Sequence, residues 1–116
     1  PGGYGINVIE SHDNVIRENI IRANVNQGIW LLFSNGNTIF RNDLIGNNPN
    51  GLDDSGRNTW YSSERQEGNY WSDYEGEDAD GDGIGDSPYD VHSSLSMGQI
   101  KDLHPSMTPF RWQRGQ

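Results

Sequence analysis

The chain has 116 residues, of which 31% are hydrophobic, and a formal net charge of −9; this bounds it to one small domain with too little apolar material for a thick two-layer core. There is no Cys, so disulfides, thiolate metal sites and thiol nucleophiles are excluded, and the longest apolar run, "IWLLF" at 29–33, is far short of a membrane span, which needs roughly 20 residues. Nine acids and no Lys or Arg lie between Glu67 and Asp90, against eight acids and eight bases elsewhere, a distribution that marks a solvated segment or a cation site and speaks against nucleic acid as a partner.

The chain opens "PGGYG", without an initiator Met or an apolar leader, which suggests a mature or excised piece. From there a repeat dominates. Gly5, Gly28 and Gly51 stand 23 residues apart, each followed by a branched aliphatic: Ile6, Ile29 and Leu52. Asn14 and Asn37, Ile16 and Ile39, Asn19 and Asn42, Ile21 and Leu44, and Asn24 and Asn47 keep the same spacing. Each unit holds stretches of three or four residues with period-2 apolar positions, the pattern of short strands. Three short strands in about 23 residues make one rung of a parallel β-helix. Its aliphatics point inward, and Asn at the corners tolerates left-handed backbone. Equivalent Asn side chains on successive rungs can bond in a ladder. A leucine-rich repeat fits less well, because no Leu-x-x-Leu-x-Leu frame is present.

These N-x-I-x-x-N-x-I units resemble the repeats of NosD-like and carbohydrate-binding/sugar-hydrolase (CASH) β-helix proteins. The ending, "GNYWSDY", "DADGDGIGDSPY" and "DLHPSM", resembles that of many archaeal surface proteins built from such repeats. The resemblance covers residues 5 to about 107. It implies an all-β, right-handed parallel β-helix, an extracellular or cell-surface location, and contact with polysaccharide or cell envelope. It implies no single activity, because the fold hosts lyases, hydrolases and scaffolds alike.

The chain order then gives rungs over 1–59 and a C-terminal cap over 60–116, since the third rung departs after "GRNTWY" and Arg65 stands where an Asn is expected. Solenoids generally need at least three rungs and two caps. The first rung, without an evident cap, is therefore expected to stack on further rungs or on another subunit. The predicted interior is Ile6, Val8, Ile16, Ile21, Ile29, Leu31, Ile39 and Leu44. Trp30, Leu32 and Ile9 then face outward, to be covered by the tail with Leu95, Met97, Ile100, Leu103, Met107, Phe110 and Trp112, including one helical turn from Ser94, or by a partner subunit.

Candidate chemistry is sparse. Asp53 and Asp54 form an adjacent acidic pair of the kind glycosidases use, but an Asp-Asp turn is more often solvated, and no catalytic residue is assigned. Arg17 and Arg41 look like surface residues. One branch of the resembled family is linked to copper delivery, yet His12, His92, His104, Met97 and Met107 are scattered, without the close soft ligands copper prefers. Trp60, Tyr61, Tyr70 and Trp71 either plug the end of the solenoid or form a platform for sugar rings. The strongest motif is "DADGDGIGD". Asp78, Asp80 and Asp82 match the alternate ligands of a D-x-D-x-D-G calcium loop, with Gly83 at the bend, the Ile84 carbonyl and Asp86 following, and Asp90 or Asp73 completing the shell. The twelfth position of an EF-hand is Tyr89 here, and Pro88 argues against flanking helices. The chain thus reads as a non-catalytic, Ca2+-stabilised structural or binding module. The alternatives are the C-terminal part of a polysaccharide lyase or hydrolase, or a carbohydrate-binding module.

Overall fold

The computed structural model describes residues 5–22, 25–55, 57–93 and 100–110. Among these the regular elements are all strands: β1 (Ile6–Ile9), β2 (Val15–Arg17), β3 (Ile20–Arg22), β4 (Ile29–Leu32), β5 (Thr38–Phe40), β6 (Asp43–Ile45), β7 (Gly51–Asp53), β8 (Tyr70–Trp71), β9 (Tyr89–Asp90) and β10 (Lys101–Asp102). Strands recur by rung in three parallel sheets, ordered β1-β4-β7, β2-β5 and β3-β6-β8. The fold is a parallel β-helix. The family resemblance drawn from the Asn and Ile frame therefore holds at the level of architecture.

The first two rungs stack in the 23-residue register, with Ile6 on Ile29, Val8 on Leu31, Ile16 on Ile39 and Ile21 on Leu44. Period-2 alternation turns these aliphatics inward. Ile29, Leu31, Ile39 and Leu44 have no exposed surface, while Ile16 and Ile21 retain 9% and 7%. Ile6 and Val8 are only partly buried.

The third rung corrects the expected register. Gly51 pairs with Ile29, Leu52 with Trp30 and Asp53 with Leu31, instead of Gly51 lying over Gly28. The reason is volume. Trp60 and Trp71 fill the interior at this level, and a Cβ on Gly51 would come 2.9 Å from one ring and 3.2 Å from the other. Only glycine fits above Ile29 there. Asp53 takes the interior position above Leu31 and is fully buried.

The rung also runs past residue 59. Thr59 bridges Thr38, and β8 pairs with β6 through Asp43–Tyr70 and Leu44–Trp71. Between them, Ser62 and Glu67 close a tight antiparallel excursion. That excursion displaces the ladder residue from 65 to Asn69, which accepts the Asn42 backbone N–H on Oδ1 at 3.2 Å. Arg65 lies in the excursion and rests over the Phe40 ring, as Arg17 does from the first rung. Arg41 is half-buried and ion-paired to Glu18 and Glu67.

A lid closes this end. β9 and β10 pair antiparallel, and Val91 and Ile100 pack into the core cluster. His92 bridges Leu52, and Ser106 bridges Tyr70. The proposed helical turn at Ser94, together with Leu95, Met97 and Trp112, lies outside the described residues. Of the expected outward stripe, Trp30 and Leu32 are half-buried and Ile9 is 50% exposed. The Trp30 indole donates to Asp54 Oδ2 at 3.0 Å.

Candidate functional site: the acidic loop and its cap

The aromatic residues divide. Trp60 and Trp71 are 0% and 1% exposed, so neither offers a face to a sugar ring. They serve as the plug, because a solenoid end must cover its core with bulky side chains that keep a polar handle satisfied. Each handle is taken by a buried carboxylate. Trp60 Nε1 donates to Asp53 Oδ2 at 2.9 Å, and Trp71 Nε1 donates to Asp102 Oδ2 at 2.8 Å. The two indoles are tilted, with centroids 5.6 Å apart, and Tyr89 stacks on Trp71 at 4.0 Å. Tyr61 and Tyr70 remain half-buried, with Tyr61 edge-on to the His104 ring.

Asp53 and Asp54 are not a solvated turn. Both are buried. Asp53 also accepts from the Ser55 amide and the Asn58 carboxamide, and Asp54 holds the Trp30 indole. Asp102 is the residue that motif reading missed. Its Oδ2 accepts the Asn69 amide at 2.7 Å and its Oδ1 the His104 amide at 2.9 Å. Burial pushes its carboxyl up to about 6, against the pull of the Trp71 and Asn69 donors. The signal available in sequence was weak: one Asp inside "DLHP", beyond the reach of the Asn period.

The acidic loop hangs from this cap. Asp78, Asp80 and Asp86 bring carboxylate oxygens within 4.8 Å of one another. The backbone builds the cluster. Gly81 and Gly83 take left-handed φ of 72° and 87°, conformations that cost glycine little. The turn then folds the amides of Gly81, Asp82 and Gly83 onto the Asp78 carboxylate. The Gly83 N–H is the main influence holding Asp78 below the ordinary carboxylate range. Asp80 is pushed above that range, chiefly by its hydrogen bond to Asp78. The Ala79 amide donates to Asp86 Oδ2.

The other predicted ligands stand elsewhere. Asp82 is outside the three-residue cluster, and its Oδ1 caps the Ile84 amide at 2.9 Å. Asp90 is ion-paired to Lys101 across β9 and β10. Asp73 accepts the Tyr89 hydroxyl and the Asn50 carboxamide. Burial, with the Asp73 charge second, raises the Tyr89 phenol well above its usual range, so it stays a donor. Ile84 bridges Ser106 in antiparallel fashion. Gly85 donates to the Pro105 carbonyl and Met107 to the Gly83 carbonyl, at 2.8 and 2.9 Å. The loop therefore grips residues 105–107, and Ser106 in turn donates to Asn69 on the third rung at 2.8 Å.

Histidine joins no such group among the described residues. His12 Nδ1 accepts the Asn35 amide, His104 lies against Tyr61, and Met97 lies outside the described residues. No described helix is long and apolar enough to cross a membrane. No curated protein and no solved structure matches the chain. A family described as Periplasmic copper-binding protein (NosD) matches residues 1–76. That span covers the three rungs through β8 and stops short of the acidic loop, and by it the chain belongs to the NosD family.

Proposed function

We propose that this protein is a non-catalytic structural and binding module that works outside the cytoplasm, with an end cap closed by calcium. One observation carries the reading. The Asp78–Asp80–Asp86 cluster sits on the loop that holds residues 105–107 against the third rung. A cation there would neutralise the cluster and fasten the lid over the tryptophans. The family's periplasmic description favours a location where millimolar calcium fills even a modest site.

Copper, which the family description names, does not fit the donors. The grouped ligands are carboxylate oxygens only. Copper favours imidazole and thioether, whereas calcium takes six to eight hard oxygens in flexible geometry. Magnesium demands a tighter octahedron and keeps more of its water. The commitment of Asp53 and Asp54 to indole N–H groups supports the non-catalytic reading, because neither is placed to act as an acid or base. A polysaccharide-acting parent is the alternative class; turnover of uronate-rich polysaccharide by a longer parent protein, with this chain alone silent, would favour it.

The test is a thermal melt in calcium, in magnesium and in chelator. Calcium at a hundredfold its dissociation constant stabilises by about 2.7 kcal/mol. The reading predicts a higher Tm in calcium than in magnesium or chelator, and loss of that gain in Asp80→Ala. Equal melting temperatures in calcium and chelator would overturn it.

A further inference from the structure

The plug holds three oxidisable rings in contact. Trp60 and Trp71 lie with centroids 5.6 Å apart, and Tyr89 stacks on Trp71 at 4.0 Å, with planes 9° from parallel. The polar hydrogen of each ring points at a carboxylate. Trp60 Nε1 donates to Asp53 at 2.9 Å, Trp71 Nε1 to Asp102 at 2.8 Å, and the Tyr89 hydroxyl to both oxygens of Asp73 at 3.0 Å. The order runs outward: both indoles are buried, Tyr89 is half-buried and Asp73 is exposed.

Packing alone does not call for this arrangement. Phenylalanine would close the end of the core with no polar hydrogen to satisfy. Serving the indoles instead buries the Asp53 and Asp102 carboxylates, a desolvation cost that an apolar plug avoids. The pairing has a chemical use. An indole or phenol that loses an electron becomes far more acidic, and a carboxylate already bonded to its N–H or O–H is placed to take the proton. The Tyr89 phenol stays protonated, so its proton is there to leave with the electron. Ring contact gives the electron a path, and the carboxylates give each proton an acceptor.

From this geometry we propose that the cap is a radical-draining relay, in which an electron vacancy made on Trp60 or Trp71 ends on Tyr89. The initiating reactant is a one-electron oxidant of the oxygen-radical class. It takes one electron from an indole and is itself reduced. Tyr89 then gives one electron through the stack to the oxidised indole, and its hydroxyl proton to Asp73. The indole is restored, Tyr89 is left as a phenoxyl radical, and exposed Asp73 releases the proton to water. A thiol-class reductant gives one hydrogen atom to the phenoxyl oxygen and becomes a thiyl radical. Trp30 marks the contrast. Its indole also donates to a buried carboxylate, Asp54, but no ring among the described residues touches it. The inference rests on the cap rings and is independent of calcium.

The test is pulse radiolysis of the intact chain with azide radical, which takes one electron and leaves as azide. In the wild type, indolyl absorption should give way to phenoxyl absorption. Tyr89→Phe keeps the stack and loses the hydroxyl. There the conversion should be lost, and the indolyl signal should last at least about tenfold longer. Asp73→Asn keeps an acceptor oxygen but removes the base, and should slow the conversion at least about tenfold. Peptide mass mapping after the pulse should find oxidation on Tyr89 in the wild type and on Trp71 and Trp60 in Tyr89→Phe, with Trp30 oxidised equally in both. Indolyl decay that is the same in the wild type, Tyr89→Phe and Asp73→Asn would overturn the proposal. So would phenoxyl formed on Tyr61, Tyr70 or Tyr74 in place of Tyr89.

Discussion

The Asp102 carboxylate accepts the Trp71 indole N–H at 2.8 Å while its neighbour in space, Asn69, gives it the last bond of the Asn ladder at 2.7 Å. A lid residue thereby occupies the place of a fourth ladder Asn, and one side chain joins the plug, the ladder and the cap. Asp102→Ala would leave the Asn69 amide and the Trp71 indole buried without acceptors. Each orphaned donor costs about 1–3 kcal/mol, so the variant should lose at least about 2 kcal/mol in urea unfolding. A loss under about 1 kcal/mol would show that the lid is not anchored here.

The same residue sets a pH dependence. Burial raises the folded carboxyl from 3.8 to about 6. The folded state therefore holds the proton more tightly than the unfolded one. The contribution is fully present below 3.8 and is lost as pH rises through 6. The difference between these two values corresponds to roughly 3 kcal/mol. Urea midpoints of the wild type should fall between pH 4 and 7, with the slope reduced in Asp102→Asn. Parallel profiles for the two proteins would contradict the assignment.

Gly68 tests how closely the lid approaches. A Cβ at this position would collide with the Asp102 carboxylate. Gly68→Ala must push β10 away and should cost about 1–3 kcal/mol, the range for overpacking a buried site. An unchanged denaturation midpoint would mean that the lid sits further out.

The interior gradient makes a paired prediction. Ile39 is wholly buried and Ile6 only partly so. Ile39→Ala should cost about 2–5 kcal/mol, and Ile6→Ala distinctly less. Ile39→Asp places an unpaired charge in the core and should unfold the domain. A folded, soluble Ile39→Asp protein would contradict the register.

The first two rungs were legible because the Gly, Asn and Ile positions repeat without insertions, so the period in sequence equals the period in space. The third rung was not, for two local reasons. Volume from Trp60 and Trp71 forces Gly51 over Ile29, which shifts the strand by one residue. The Ser62–Glu67 excursion then moves the ladder Asn to 69, so a search at 65 finds Arg65. The lid was hidden more deeply, because its ladder residue is an Asp whose partners are distant in sequence. The acidic loop was legible as a cluster, since alternate Asp residues and glycines fix a local turn. The places of its other acids were not: Asp82 turns to the Ile84 amide two residues on, and Asp90 pairs with Lys101 across the lid strands.

The central claim is that calcium in the acidic loop fastens the lid, and amide hydrogen exchange at Gly85 and Met107 tests it most directly. Both amides bond across the join between the loop and residues 105–107. Saturating calcium should slow their exchange at least about tenfold relative to chelator, a difference of about 1.4 kcal/mol in local opening, and Asp78→Asn should abolish the effect. Exchange at these two amides that is the same with calcium and with chelator would contradict the account.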